Sequence, residues 1–264
     1  MDLQVSGKTA LVTGSTAGIG LAIAKTLAQE GVEVILNGRS KERVEALARQ
    51  LTDELPGTQF RGIAADFSKV DDINVLLAEL PEIDILINNV GIFEPKEFTE
   101  IPDEDWFKFF EVNVMSGVRL SRQYFPKMLA KGWGRIIFVS SESALQIPTE
   151  MIHYGMTKTA QLAISRGLAE LTTGTDVTVN TVLPGPTFSE GVGDFINSMA
   201  TRNGVSVEEM ETDFFKNARP TSIIKRFATT QEIANLVAYL SSPLASATNG
   251  AAIRVDGGVT KTIV

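Results

Sequence analysis

Short apolar runs rich in Val and Ile alternate with longer segments of helical period, and this alternation constrains the fold more than any other feature. The apolar runs fall at residues 8–12, 32–37, 59–64, 83–88, 135–140, 176–183 and 251–255. Such runs, separated by helices, are typical of parallel strands that are buried on both faces. The sequence therefore predicts an α/β fold, a doubly wound parallel sheet of about seven strands with helices on both faces.

Helical periodicity fills the intervals, including residues 41–52, 103–128, 149–171 and 230–240. No internal repeat, low-complexity tract or linker interrupts the pattern, so a single domain is expected over residues 1–264. The segment 187–227 shows no credible strand and follows the end of a sheet strand, where such folds bind ligands. We predict a substrate lid at residues 188–227, the alternative being a surface insertion.

Composition excludes several classes of site and partner. The chain has no Cys and one His, His153, which excludes disulfides, thiolate nucleophiles and Cys/His zinc sites, and we predict no metal site. A formal net charge of -8 opposes binding to nucleic acid or to anionic membranes. No apolar run approaches the ~18 residues of a membrane span, and residues 1–8 lack the pattern of a secretory signal. A cytoplasmic protein is expected.

A glycine-rich turn, Thr13-Gly14-Ser15-Thr16-Ala17-Gly18-Ile19-Gly20, lies between the first strand and the first helix. Glycines allow a tight turn and a close approach of the backbone to a ligand, and the helix start offers free N–H groups to a pyrophosphate. An ordinary strand-to-helix turn is the alternative. Its place in a βαβ unit favours a dinucleotide site, for which the turn supplies Gly14, Ser15, Thr16, Gly18, Ile19 and Gly20.

The residues after the second strand indicate which dinucleotide binds. The chain reads Asn37-Gly38-Arg39-Ser40, with no carboxylate to bind both ribose hydroxyls of NAD. Arg39 suits the 2'-phosphate of NADP, because a guanidinium pairs with phosphate through charge-assisted bonds. NADP is therefore predicted, with NAD as the alternative and a solvated Arg39 as the competing interpretation. Asp66, after the third strand, is a candidate for the adenine amino group or for a helix cap.

Tyr154 and Lys158 lie four residues apart at the start of a predicted helix, so they share one helix face. An ammonium near a phenol favours the phenolate, and a working pKa near 7 would require a shift of ~3 units, which Lys158 and the positive nicotinamide of an oxidised cofactor would supply together. On this interpretation Tyr154 is a general acid and base. A hydroxyl at the end of the preceding strand can hold a substrate carbonyl oxygen, and the residues themselves leave Ser140, Ser141 and Ser143 as candidates.

These motifs together resemble the short-chain dehydrogenase/reductase family, whose members have a Rossmann-type fold. The resemblance covers nearly the whole chain and rests on the glycine-rich turn, Asn88-Asn89-Val90-Gly91, Asn113, Ser141, Tyr154, Lys158 and Pro184-Gly185. The interval of thirteen residues before Tyr154 selects Ser141 among the three serines. One departure is Val90, where the family commonly has Ala. Another is Ala17, where some NADP-preferring members carry a basic residue.

The resemblance implies roles for these residues. Ser141 would position the substrate, Tyr154 would exchange a proton, Lys158 would also bind the nicotinamide ribose, and Asn113 would help order a proton relay to Lys158. Asn89 and Gly91 would shape the adenosine side of the cleft, and Pro184, Gly185 and Thr187 would face the nicotinamide. The predicted reaction is reversible hydride transfer between NADP(H) and a small-molecule carbonyl or alcohol. A coenzyme sensor without turnover and an enoyl-type reductase are the rival functions.

The sequence cues for the substrate disagree, and the oligomeric state is inferred by analogy. Glu142, Gln146, Glu150 and His153 favour a polar, hydroxyl-rich ligand. Apolar residues of the lid favour a ketone with an apolar body: Phe188, Phe195, Met199, Phe214 and Phe215. The predicted helices 103–128 and 149–171 carry more apolar residues than one sheet-facing stripe needs, among them Trp106, Phe107, Phe109, Phe110 and Val114. By analogy with the family we predict a homotetramer, with a homodimer as the alternative.

Overall fold

The computed structural model describes residues 2–263, apart from the side chains of residues 194, 195 and 203. Within these residues seven strands form one parallel sheet, in the order β3-β2-β1-β4-β5-β6-β9. The strands are β1 (Thr9–Val12), β2 (Glu33–Gly38), β3 (Gln59–Ala64), β4 (Ile85–Asn88), β5 (Trp133–Val139), β6 (Asp176–Pro184) and β9 (Ala252–Val255). The predicted seven-stranded parallel sheet is confirmed.

Helices connect the strands and cover the sheet. They are α1 (Gly18–Gln29), α2 (Lys41–Glu54), α3 (Val70–Glu79), α4 (Asp103–Phe110), α5 (Ser116–Lys131), α6 (Ile152–Glu170), α7 (Glu190–Asn203), α8 (Val207–Asp213) and α9 (Thr230–Leu240). No helix within residues 2–263 combines the length and the apolar composition needed to cross a bilayer.

Alternate side chains of the strands face two separate cores, as the period of a strand requires. In β1, Ala10 and Val12 pack into one cluster with α1 and α9, whereas Leu11 packs into the opposite cluster with Ile73 and Tyr124. All these residues are buried. Burial on both faces explains why the strands appear in the sequence as continuous apolar runs without a polar alternation.

The strand order places the site. Connections leave β1 and β4 in opposite directions along the sheet, and this switch point opens a crevice at the carboxyl ends of the strands. The glycine-rich turn follows β1 and Asn89 follows β4, while Ser141 follows β5 and Gly185 follows β6. Motifs that are distant in the sequence therefore meet at one edge of the sheet.

Two predictions about the elements need correction. The helix predicted over 103–128 is interrupted by a π-helical turn, Glu111–Met115, and the segment 187–227 does contain a strand. Thr187–Phe188 (β7) pairs in parallel with Ala228–Thr229 (β8), a pair of two residues each, too short to show a periodic pattern. The rest of the segment forms α7, α8 and a second π-helical turn, Phe214–Ala218, packed around Ile196, Met210, Phe215 and Phe227.

Candidate active site

A cavity of about 840 Å³ lies at the carboxyl ends of β4, β5 and β6, between the sheet and the segment 187–227. Most of the predicted site residues line it: Ile19, Asn89, Gly91, Ser141, Tyr154, Lys158, Pro184, Gly185 and Thr187. Met199, Phe214 and Phe227 form its apolar outer wall. The structure therefore brings three of the four predicted catalytic residues, all but Asn113, and part of the predicted coenzyme cradle into one space.

The glycine-rich turn has the geometry of a phosphate cradle. Gly14 and Gly18 have φ of +60° and +58°, a backbone conformation that favours glycine. A Cβ on Gly20 would stand 2.5 Å from both Asn89 Nδ2 and Gly14 O, so only glycine fits there. The N-cap of α1, Ala17, has no side-chain hydrogen bond, which leaves the first N–H groups of the helix available to a ligand.

Buried polar contacts hold the turn in place. Asn37 Oδ1 accepts from Gly14 N at 3.1 Å, and Ser15 Oγ donates to Val12 O and accepts from Asn37 N. The backbone N–H of Ser15 also donates to Asn37 O. The hydroxyl and N–H of Ser15 are thus used inside the protein, so Ser15 shapes the turn. Asn37, which the sequence analysis considered only for its lack of charge, is the residue that supports it.

On the far side of the cradle, Asn89 ties the end of β4 to the glycine-rich turn. Its Nδ2 donates to Thr13 O at 2.9 Å and to Gly14 O at 3.2 Å. A Cβ on Gly91 would be 3.4 Å from Lys158 Nζ, and one on Gly185 would be 2.5 Å from Asp256 O. Thr187 Oγ1 donates to Gly185 O. These glycines keep the groove between the turn and Lys158 free of side chains.

Arg39 and Asp66 lie beyond the cavity, at the outer end of the groove. Arg39 is exposed after β2, and next to it Gly38 packs against Thr16, whose Cγ2 is 2.5 Å from the position of an added Cβ. Asp66 Oδ1 accepts from Ser68 N and Ser68 Oγ. The pKa of Asp66 is lowered, mainly by the Ser68 N–H, with a smaller contribution from the Arg39 charge. Asp66 therefore closes a local turn and leaves Lys69 as the N-cap of α3.

Tyr154 is half-buried in the first turn of α6, beside Ser141 at the end of β5. The lowering of its pKa was predicted for Lys158 acting together with an oxidised nicotinamide, and it stays a prediction for the complex. The pKa of Tyr154 is raised, first by its burial in the cavity and then by the negative charge of Glu142, while hydrogen bonding to Ser141 and the charge of Arg219 act in the opposite direction. The Tyr154 phenol is therefore protonated at neutral pH.

Lys158 lies one turn further along α6 and is buried, 4% exposed. Its Nζ donates to Val139 O at 3.0 Å and lies 3.4 Å from Gln161 Oε1, and it stands 5.7 Å from the centre of the Tyr154 ring. Burial lowers the pKa of Lys158 to about 8. Among the described ion pairs no carboxylate is joined to Lys158, so the ammonium is held by neutral acceptors.

Asn113 occupies the π-helical turn between α4 and α5, and its side chain donates to Thr157 Oγ1 and exchanges two hydrogen bonds with the backbone of Ile92. The backbone carbonyl oxygen of Asn113 accepts a hydrogen bond from Gln161 Nε2 at 2.6 Å. π-Helical turns interrupt the regular backbone bonds of a helix and occur frequently at functional sites. Gln161 thereby links Asn113 to Lys158, a connection that the sequence analysis missed although Gln161 stands only three residues after Lys158.

The residues named for substrate contact divide into two groups. Glu142, Glu150, Met199 and Phe214 line the cavity. Others are engaged elsewhere: Phe215 packs in the core of the segment 187–227, Phe188 is half-exposed beside Phe227, Gln146 is exposed, and His153 is buried with its ring 4.1 Å from that of Phe109. The Phe195 side chain lies outside the described residues.

The sequence also missed Arg219, which lines the cavity from a position 77 residues beyond Glu142. Its Nε forms an ion pair with Glu142 Oε1 at 3.1 Å, and its Nη1 lies 3.5 Å from Glu150 Oε1. No local motif surrounds Arg219 in the sequence, because it is the tertiary fold of the segment 187–227 that brings it to the end of β5.

Comparison with known proteins now decides the family. A model of the family described as short chain dehydrogenase matches residues 8–199. The chain belongs to this family. The oxidoreductase YvaG of Bacillus subtilis is 52% identical to this short-chain dehydrogenase over 100% of both chains. The 3-oxoacyl-[acyl-carrier-protein] reductase FabG of Aquifex aeolicus is 34% identical, with 98% of this chain and 100% of FabG covered.

Solved structures agree with this membership. The L-sorbose reductase of Gluconobacter frateurii, in complex with NADPH and L-sorbose, superposes on this short-chain dehydrogenase with a TM-score of 0.93 at 32% identity, over 100% of both chains. The protein is therefore an oxidoreductase of the NAD(P)-dependent dehydrogenase and reductase type, and the cavity described above is its candidate active site.

Proposed function

We propose that this short-chain dehydrogenase transfers hydride reversibly between NADP(H) and a carbonyl or alcohol carbon of a small molecule. The observation that carries the proposal is the shared cavity: Ser141, Tyr154 and Lys158 line the same space as Asn89, Gly91 and Gly185. A proton donor, an orienting hydroxyl and a groove kept open by glycines are the parts that carbonyl reduction requires. A coenzyme sensor would need the groove but not the Tyr154 and Lys158 pair.

The residues present fit a dinucleotide. Gly14 and Gly18 give the turn a backbone conformation that favours glycine, and the first N–H groups of α1 have no side-chain cap. Arg39 is exposed after β2, and its guanidinium suits the 2'-phosphate of NADP; similarity to an NADPH complex supports the same choice. We expect NADP to be held by Gly14, Thr16, Gly18, Ile19, Gly20, Arg39, Asp66, Asn89, Gly91, Lys158, Pro184, Gly185 and Thr187, with NAD as the alternative.

When bound, the nicotinamide supplies or accepts the hydride. Tyr154, protonated at neutral pH because its pKa is raised, gives its proton to the carbonyl oxygen as hydride reaches the carbon. Ser141 donates to the same oxygen and stabilises the developing negative charge. Lys158 lies one helical turn away and contacts Gln161, which donates to the backbone carbonyl of Asn113. This chain of polar groups is the proposed relay that returns a proton to Tyr154. A protonated phenol favours the direction of carbonyl reduction.

The experiment that tests this function compares NADPH and NADH as reductants, by loss of nicotinamide absorbance in the presence of a panel of carbonyl compounds. We expect carbonyl-dependent oxidation of NADPH. Replacement of Arg39 by Ser is expected to raise the KM for NADPH about 10- to 100-fold, because a hydrogen-bonded charge pair contributes about 1.5–3 kcal/mol, and to leave the KM for NADH unchanged.

The matched control is Arg49→Ser, which removes the same charge from an exposed position on α2. It is expected to keep the preference for NADPH. An unchanged KM for NADPH in the Arg39 variant, or a wild-type preference for NADH, would contradict the assignment of NADP. No oxidation of either coenzyme with any carbonyl in the panel would contradict the enzymatic function itself.

We further propose that residues 188–227 act as a substrate lid on a single domain spanning residues 1–264. The segment has its own apolar cluster around Ile196 and Phe215. It reaches the catalytic end of β5 through Arg219. A lid with its own core can move as a unit over the cavity. The cytoplasmic location expected from the sequence stays a prediction.

A homotetramer is proposed for the assembly, with a homodimer as the alternative. Phe109 and Val114 are buried within one chain, but Phe107 on α4 is 72% exposed and Leu171 at the end of α6 is 64% exposed. Exposed apolar side chains on the two helices that the sequence analysis selected are consistent with a contact between copies of the chain.

Size-exclusion chromatography with light scattering checks this assembly. The wild-type protein is expected to elute at four times the mass of one chain, and Phe107→Lys at a smaller multiple, because a buried ammonium opposes the contact. Val75→Lys changes an equally apolar residue, 55% exposed on α3, and is expected to keep the wild-type mass. A wild-type protein with the mass of one chain would contradict the proposal.

A further inference from the structure

Glu142 and Arg219 form a buried ion pair on the substrate side of the cavity. The two side chains are 7% and 12% exposed, and Arg219 Nε lies 3.1 Å from Glu142 Oε1. Glu142 directly follows Ser141, whereas Arg219 comes from the proposed lid. The catalytic serine and the lid thus meet at a single carboxylate.

The other oxygen of this carboxylate is bonded to the catalytic serine. Ser141 Oγ donates to Glu142 Oε2 at 2.6 Å. A serine hydroxyl has only one proton to donate. In the proposed reaction Ser141 donates this hydrogen bond to the carbonyl oxygen of the substrate, while Tyr154 transfers the proton. The Ser141 hydroxyl must therefore turn away from Glu142 when substrate binds.

This exchange has a cost that depends on the substrate. Glu142 is buried, and a buried carboxylate oxygen that loses its donor is penalised unless another donor replaces it. A plain ketone offers no donor. A ketone with a hydroxyl group on the adjacent carbon offers that hydroxyl as the donor. Its two oxygens are about as far apart as Ser141 Oγ and Glu142 Oε2, so both can be bound at once. Its carbonyl then accepts from Ser141 while its hydroxyl donates to Glu142.

The charges around the pair argue against an acidic substrate. Glu142 and Glu150 place two carboxylates around one guanidinium, that of Arg219, which is engaged with both. A substrate carboxylate beside Glu142 would meet a like charge and would have no proton to donate. Apolar side chains of the segment 187–227 line the same cavity and suit a hydrocarbon chain: Val192, Ile196, Met199, Phe214 and Phe227.

Resting on the proposed function, we infer that the substrate is an uncharged ketone with a hydroxyl on the carbon next to the carbonyl and an apolar chain on the other side. Glu142 accepts the hydrogen bond of that hydroxyl, and Arg219 positions Glu142. The carbonyl carbon gains hydride from reduced nicotinamide, the oxygen gains the proton of Tyr154, and the product is a vicinal diol. The coenzyme is oxidised by the same two electrons.

Three probes that differ only at one carbon test the inference: 1-hydroxyhexan-2-one, hexan-2-one and 2-oxohexanoate, each with the wild-type enzyme and NADPH. The hydroxy ketone is expected to have a kcat/KM at least about tenfold above the other two, since an unsatisfied buried acceptor costs about that much or more. Glu142→Leu is expected to bring the ratio of hydroxy ketone to plain ketone close to one. Glu150→Leu removes the other carboxylate on Arg219 without touching Ser141, and keeps the ratio.

Several outcomes would overturn the inference. They are equal kcat/KM for the hydroxy ketone and hexan-2-one, a preference for 2-oxohexanoate, an unchanged ratio in Glu142→Leu, or no reduction of any of the three probes. The kcat/KM values of the wild-type enzyme for the three probes test the inference even where Glu142→Leu fails to fold. The proposed function is judged separately, by oxidation of NADPH with any carbonyl of the wider panel, so reduction of other carbonyls without a preference for the hydroxy ketone would overturn this inference and leave the function standing.

Discussion

Tyr154→Phe is expected to lower kcat by about three orders of magnitude, because general acid catalysis by a positioned side chain contributes roughly 10²–10⁴-fold. The variant keeps the ring that packs 6.3 Å from Phe93 and removes only the hydroxyl. The fold and the coenzyme groove are therefore expected to be intact. Steady-state turnover with NADPH, together with the quenching of protein fluorescence by NADPH, measures both quantities on the same sample.

Tyr239→Phe is the matched control, since it removes a phenol hydroxyl from α9, outside the cavity. Its kcat is expected to equal that of the wild-type enzyme. A Tyr154→Phe variant that binds NADPH and retains wild-type kcat would remove the acid/base role and leave the coenzyme sensor as the better function. A loss of both binding and folding in this variant would show that the hydroxyl has a structural role instead.

The direction in which the Tyr154 pKa is shifted determines whether the phenol donates or accepts a proton in the protein alone. Burial and Glu142 raise it, so the protein alone presents a proton donor. The sequence predicts a lowered pKa only with Lys158 and an oxidised nicotinamide acting together, and spacing does not show that the Lys158 Nζ turns to the Val139 carbonyl. Neighbours along the helix are visible in a sequence, whereas the acceptor that a flexible side chain selects is not.

The sheet was predictable because its strands are buried on both faces and appear as apolar runs. Both boundaries of every strand in the sheet fall within two residues of the expected positions, and the third strand matches at both ends. The π-helical turn at Asn113 was not predictable, since it is five residues long and regular helix continues on both sides of it. The pair β7 and β8 was missed because two residues carry no period.

The proximity of three candidate catalytic residues was predictable for a different reason. Tyr154, Lys158 and Ser141 stand at fixed intervals along two adjacent elements, so a linear pattern retains their geometry. Arg219 and Asn37 act through tertiary contacts, one with Glu142 and the other with Gly14. Residues that support a site from a distant segment leave no interval to recognise. The contact of Arg219 with Glu142 in the cavity is therefore absent from the sequence cues for the substrate, which disagreed.

Lys158→Met is expected to abolish most turnover and at the same time to change the pH dependence of stability. The folded protein holds Lys158 with a pKa of about 8, against 10.5 for an ordinary lysine. Below about pH 8 the ammonium is charged in both states, and the folded state bears the whole cost of burying it, about 3 kcal/mol for such a shift. As pH rises toward about 10.5 the folded protein releases the proton and this cost disappears.

The variant carries no such charge, so its stability relative to the wild-type protein is greatest below about pH 8 and declines by about 3 kcal/mol at high pH. Denaturant unfolding of both proteins at about pH 7 and about pH 10, without added coenzyme, measures the change. Lys69→Met, at an exposed position before α3, is expected to show a constant difference from the wild-type protein. A constant difference in the free energy of unfolding between Lys158→Met and the wild-type protein would mean that the pKa of Lys158 is not lowered. The buried ammonium would then be stabilised by an interaction that the described contacts do not include. A declining difference accompanied by lost turnover would instead show that the enzyme retains a destabilising charge because the reaction uses it.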